Sequence, residues 1–158
     1  MDFSVTPEQE AIRTAVAKVC AAFDLEYWLQ KDRAGGFPHE LHAALARDGW
    51  LGIAMPAEYG GAGLGIVEAA IMMQTIAASG AGMSGASAVH MNIFCLNPVV
   101  VFGAGAQKKR WLPALIAGLD RACYSTRNAE NDATVFLKEH RQRVVVSSEQ
   151  LSHEILIV

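Results

Sequence analysis

The chain has 158 residues, of which 52% are hydrophobic and 18% charged, and its net charge is −3. That length suits one domain, or one domain with a piece of a second, and the apolar balance suits buried helices. Lys108-Lys109-Arg110 is the sole basic run, so nucleic-acid binding has no electrostatic footprint and the triplet reads as a solvated helix start.

Three well-separated cysteines, Cys20, Cys95 and Cys123, argue against a disulfide framework or a paired-cysteine metal site and fit a reducing compartment. The opening residues MDFSVTPEQEAI carry acids early and lack the basic-then-apolar pattern of a leader, so a cytoplasmic chain is expected. No run reaches the roughly 18 apolar residues of a membrane span. The nearest, Leu64 to Gly80, is interrupted by Glu68 and Gln74.

Thr6-Pro7-Glu8-Gln9 is a helix start, with Thr6 as cap, Pro7 at the first helical position and Gln9 closing a capping box. Ile12, Val16, Val19 and Phe23 follow at helical spacing. A second helix is expected over 25–32, broken by Gly35-Gly36, and a third opens at Pro38 and ends near Gly49. Trp50 to Tyr59 reads as an extended, partly buried connector that ends in Gly60-Gly61-Ala62-Gly63. A fourth helix, 66–79, is apolar nearly all round and belongs at the centre of a bundle. The small residues 80–88 lead to a helix over 89–96, interrupted at Asn97-Pro98 and continued to Phe102. Residues 107–117 form the last helix, with Trp111, Leu112, Leu115 and Ile116 inward, Pro113 as a start or kink, and Gly118 as the stop. The fold class expected is mainly α: a helical bundle of about six helices over 1–118.

At Gly118 the composition changes. All 14 glycines and all 5 prolines lie at or before that residue, and charged residues rise from 18 in the first 118 to 11 in the last 40. Short β-like runs occur at 143–147 and 155–158. Residues 119–158 are therefore expected to be a short β-leaning tail.

Several local patterns are weighed against chemistry. Gly80-Ala81-Gly82-Met83-Ser84-Gly85 fits GxGxxG, but a helix precedes it and the next acid is Asp120, so a dinucleotide fingerprint is not supported. Gly60 to Gly65 has no following Lys-Ser/Thr and reads as a tight turn. His39 and His42 share a helix spacing but lack further ligands; exposed helix residues are expected, and no metal site. His90 lies within an apolar helix and reads as a core or pocket-lining histidine. No catalytic constellation is assigned.

Taken together, Thr6-Pro7-Glu8, Gly49-Trp50-Leu51-Gly52-Ile53, Pro56 to Gly63, and Phe102-Gly103 with Gln107 to Leu115 resemble the N-terminal helical domain of the acyl-CoA dehydrogenase family. The resemblance covers about Phe3 to Tyr124. It implies an FAD-dependent oxidoreductase of fatty acid metabolism, which oxidises the α,β-bond of acyl-CoA thioesters and passes electrons to an electron-transfer partner. It also implies a homo-oligomer, with neither nucleic acid nor membrane as partner. In the family a β-domain and a C-terminal helical bundle follow, the latter carrying the general base, so the chain is expected to be truncated, inactive alone, and without a catalytic residue to assign. Residues 119–158 correspond to a divergent remnant of the β-domain's start.

Flavin contacts would fall at Tyr124, Ser125 and Thr126. The family pattern there departs at Arg127, Asn128, Glu130 and Asn131; Glu130 would set a negative charge where pyrophosphate needs backbone donors. These departures weigh against flavin binding by this chain. The alternative reading is a non-enzymatic helical module that self-associates or pairs with a full-length relative. Another flavin enzyme on this scaffold, such as a monooxygenase or a nitroalkane oxidase, is not separated by the helical half alone.

Overall fold

A computed structural model describes residues 4–93 and 97–119, together with the backbone of 94, 121–125, 134–139, 142–146 and 156–157. Seven α-helices lead into four short strands: α1 (Pro7–Cys20), α2 (Leu25–Ala34), α3 (His39–Arg47), α4 (Ile66–Ile76), α5 (Gly82–Phe94), α6 (Asn97–Phe102), α7 (Gly105–Ile116), then β1 (Arg121–Ser125), β2 (Thr134–Glu139), β3 (Gln142–Val146) and β4 (Leu156–Ile157). The expected class, a mainly α bundle with a short β-leaning tail, is the one observed.

The start of α1 follows directly from its sequence. Thr6 Oγ1 accepts from the Gln9 amide at 3.2 Å and Gln9 Oε1 accepts from the Thr6 amide at 3.1 Å, a reciprocal cap on an otherwise unpaired helix end. Gln9 then reaches across the bundle: its Nε2 donates to Glu68 Oε1 at 2.8 Å. The other oxygen of Glu68 accepts from the Gly65 amide at 3.0 Å, at the start of α4. One side-chain bridge thus joins two helix N-termini, and these contacts hold the Glu68 carboxyl below its usual range, the bond from Gln9 foremost. Beneath the bridge, Ile12, Val16 and Cys20 present one stripe of α1 to the core.

Asp24 caps α2 through a 2.9 Å bond from the Tyr27 amide, and Trp28 is the one α2 residue that is buried. Leu41 and Leu45 of α3 meet Ile71, Met72 and Ile76 of α4 in the main core, which also takes in Leu51, Ile53, Val89 and Ile93. The centre of α4 is buried as expected. Its first turn is not: Ile66 and Val67 are exposed.

Three expectations are corrected. Trp50 to Tyr59 is not extended; it forms two 3₁₀ turns, Trp50–Gly52 and Ala57–Tyr59, because Gly49 takes a left-handed conformation and turns the chain tightly. Residues 80–88 are not a linker. After a wide π turn, Ala77–Ala81, helix α5 already starts at Gly82. The small residues serve close packing: a side chain at Gly85 would strike Ala81 and approach Ile76 and Trp28. The third correction concerns His42 and is described with the site below.

The span Ile66–Phe102 contains an 18-residue stretch of mean hydropathy 1.4 and is long and apolar enough to cross a membrane by length and composition alone. It is bent at Gly80, where φ is 101°, and α4 within it supplies the core of the bundle, which accounts for its composition.

The strands form an antiparallel sheet in the order β1-β2-β3-β4. Tyr124 lies opposite Val135, and Phe136 opposite Val145. β1 is therefore an edge strand within this sheet, and it runs beside α5.

Candidate functional site

The two sequence runs that stand out, 55–63 and 102–119, are brought together in space. Met55, Val99, Trp111, Leu112, Leu115 and Ile116 form a second apolar cluster, with Tyr59, Met91 and Val100 against it. The connector beneath α7 is held by its own backbone. Ala62 donates to Gly52 at 2.9 Å, Gly63 to Met55 at 2.8 Å and Leu64 to Ile53 at 3.0 Å. Gly61 sits so close to the Met55 backbone that any side chain there would collide with it. That is why the run is rich in glycine: the chain must fold back against itself, and phosphate binding is not needed to explain it.

Helix α5 divides into two faces. Ala88, Val89, Asn92 and Ile93 are buried. Met83, Ser84 and Ser87 are exposed, and His90 and Met91 are half-buried. This second stripe is free of the main core, and α5 is also the helix that flanks β1. On the other side of α5 and α6, a groove of about 510 Å³ is lined by Ala54, Met55, Leu64, Ile66, Ile93, Pro98 and Val100, with Asn97 as its polar member. Among the described residues no carboxylate lines it. Leu64 and Ile66 on the groove are 42% and 57% exposed, and Val101 and Phe102 at the end of α6 are 55% and 66% exposed.

The titratable groups are mostly structural. His90 Nδ1 lies 3.3 Å from the Ser87 carbonyl. His39 is exposed and packs edge-on against Phe37. His42, expected on the solvent face, is 5% exposed. It packs against Phe37 and its Nε2 lies 3.5 Å from Asn92 Nδ2. The helical period carries it inward because α5 supplies a polar partner. Asn92 is 1% exposed, and this buried pair was missed in the sequence; the signal was a polar residue on the apolar stripe of each helix. Among the described residues no group of three or more metal-ligating side chains comes together.

Glu40 is the most perturbed carboxylate. The backbone amide at the head of α3, then Lys31 and the Tyr27 hydroxyl, hold its pKa down at about 2. Loss of solvent, then the Glu40 charge, pushes Tyr27 up to about 12. The Tyr27 hydroxyl donates to Glu40 at 2.8 Å and Lys31 Nζ stands 3.0 Å from it, so the cluster ties α2 to α3 rather than serving a reaction. Burial raises the Cys20 thiol, partly countered by Ser79, which leaves it a core residue.

Of the expected flavin contacts, Tyr124 and Ser125 lie on β1 beside α5. Thr126, and residues 127–132 where the pattern departs, lie outside the described residues. The GxGxxG match covers the end of the π turn and the start of α5, with a helix and no strand before it. It is not a dinucleotide loop.

The family model for the acyl-CoA dehydrogenase N-terminal domain matches residues 6–119. The chain belongs to the acyl-CoA dehydrogenase family. It is 37% identical over 119 residues to the acyl-CoA dehydrogenase FadE12 of Mycobacterium tuberculosis, a match that covers 73% of this chain and 29% of the relative. Among solved structures, butyryl-CoA dehydrogenase from Megasphaera elsdenii superposes with a TM-score of 0.72 at 18% identity, over 94% of this chain and 50% of that one. An acyl-CoA dehydrogenase from Bacillus anthracis complexed with FAD superposes with a TM-score of 0.61 at 19% identity, over 92% of this chain and 32% of that one. At these identities the two structures show the fold. As an acyl-CoA dehydrogenase-family chain, the molecule spans less than a third of the curated relative's length. The two motif runs that meet under α7 lie inside the matched domain.

Proposed function

We propose that this chain supplies the helical wall of a flavin-dependent acyl-CoA dehydrogenase site, in which the α,β-bond of an acyl-CoA thioester is oxidised. The observation that carries the reading is the family match over residues 6–119, together with a partly exposed stripe on α5, the helix that flanks β1. The α-proton of a thioester is weakly acidic, so the reaction needs a dry cavity and an acceptor held close. Met83, Ser87, His90 and Met91 are offered as the helical side of that cavity.

FAD, when bound, accepts the β-hydrogen as hydride. Edge strand β1 supports a place for it: among the described residues one edge of the strand is paired in the sheet, and backbone groups of the other edge near Tyr124 and Ser125 are offered to hold a ring. Thr126 completes the proposed set. We assign no general base to this chain, and among the described residues none of the groove's lining is a carboxylate. Electron transfer to a partner protein and assembly into a homo-oligomer belong to the same proposal. So does the reading of residues 119–158 as a divergent remnant of the start of a second domain.

The test is the visible absorption spectrum of the purified chain after incubation with FAD. A stoichiometric flavin band supports the proposal. A colourless chain overturns flavin chemistry by this chain alone. It would leave the second reading, a helical module that self-associates or pairs with a full-length relative, which the exposed Leu64, Ile66, Val101 and Phe102 favour.

A further inference from the structure

Two buried indoles have no acceptor for their N–H among the described residues, Trp28 and Trp111. A buried donor left this way has given up its bond to water without replacing it. Trp111 is enclosed by the second apolar cluster. Trp28 is placed differently: it walls a cleft of about 430 Å³ between α2 and the π turn before α5.

Two glycines fix which edge of the Trp28 ring faces that cleft. A methyl group built on Gly85 would lie 3.3 Å from Cη2, on the six-membered ring; one built on Gly80 would lie 3.9 Å from Cδ1, beside the nitrogen. Gly80 lines the cleft and Gly85 does not, so the five-membered-ring end of the indole, which carries the N–H, is the end nearer to it. The nitrogen is closed to solvent. The covering group at hand is Leu25, whose Cδ2 lies 3.2 Å from the same Gly80 position and whose side chain is 75% exposed and free to swing.

The lining sets the chemistry of an occupant. Leu25, Leu29, Pro38 and Ala81 are apolar, and Lys31 and Asp32 bring one charge of each sign. Lys31 is already engaged with Glu40 at 3.0 Å, so an anion would meet the Asp32 charge without a counter-charge, and a cation has no acceptor to offer the indole N–H; a neutral molecule fits best. Its volume lies in the small-molecule range. We propose that this cleft binds a small neutral molecule with an apolar body and one carbonyl or amide oxygen, which displaces Leu25 and accepts from Trp28 Nε1. The cleft meets the α5 stripe at Ser84, which the flavin proposal does not use, and it does not depend on that proposal.

The test is nuclear magnetic resonance of the whole chain with ¹⁵N-labelled indoles, titrated with N-isopropylacetamide. Xenon serves as the control that fills apolar space without accepting a hydrogen bond. The amide should move the Trp28 indole proton downfield, and xenon should not. Trp28→Phe should weaken amide binding about fivefold, the factor that one hydrogen bond of ordinary net strength supplies. Leu25→Ala should tighten it, and Ser84→Phe at the cleft should abolish it with the circular dichroism of the bundle unchanged. An unmoved Trp28 resonance overturns the proposal, as does a water on the N–H that the amide fails to displace. A resonance that depends on protein concentration without ligand would assign the cleft to a second copy of the chain and overturn it as well.

Discussion

The two apolar clusters are built on different principles. The main core draws on α1, α2, α3, α4 and α5, and its members recur at helical spacing: Ile12, Val16 and Cys20 on one helix, Leu41 and Leu45 on another. The smaller cluster joins Met55 to Val99, Trp111, Leu112, Leu115 and Ile116. It rests on a backbone that folds back on itself, with Gly61 against Met55 and Gly52 against Ile116. The first is specified by a period and the second by particular residues. A periodic core accepts many sequences of the right volume. A backbone contact accepts one residue type, and that is why the family resemblance is concentrated in the second cluster.

Five substitutions or conditions break or sharpen this contrast. Leu41→Ala, at a fully buried position, should lower stability by about 2–5 kcal/mol, read from the urea midpoint, whereas Leu41→Met should cost under about 1.5 kcal/mol. Gly61→Ala adds a single methyl yet should cost about 1–3 kcal/mol through overpacking. Trp111 fluorescence should shift with it while helix content holds, and unchanged stability would show that the connector yields freely. Gln9→Ala removes both a cap and the bond to Glu68 and should cost about 1 kcal/mol, with amide exchange accelerated at the first turns of α1 and α4 together.

The fourth is a pH effect. Glu40 titrates at about 2 in the folded chain against about 4.3 when unfolded, so the unfolded state binds more protons between those values. Its contribution is complete above the unfolded value and is lost as pH falls from there toward 2. Urea midpoints at pH 6 and pH 3 should therefore differ less in Glu40→Gln than in the parent. The smallest effect is expected at Phe102, 66% exposed. Phe102→Ser should leave stability within about 0.5 kcal/mol and reduce any self-association seen by sedimentation.

The same contrast explains what was legible in the sequence. Local chemistry was readable: Thr6 with Gln9 gave the start of α1, the inward set of α7 was correct, and the β-leaning runs at 143–147 and 155–158 correspond to β3 and β4. What failed depended on partners distant in sequence. Gly85 looks like a turn residue until Trp28 is placed beside it. His42 looks exposed until Asn92 arrives from α5. The connector looks extended because the bonds that fold it run from residues 62–64 back to Gly52, Ile53 and Met55, a pairing that no local pattern announces. The α5 stripe was not singled out, since its residues are individually unremarkable and gain meaning only beside β1.

The bridge from Gln9 to Glu68 has a kinetic consequence. Its ends are 59 residues apart in sequence, whereas the caps on either side of it close over three residues. Loop closure over the longer span carries a larger entropic cost, so α1 and α4 acquire their caps before they meet. The bridge is then a reporter of late assembly: removing it should chiefly hasten unfolding and leave the refolding rate almost unchanged.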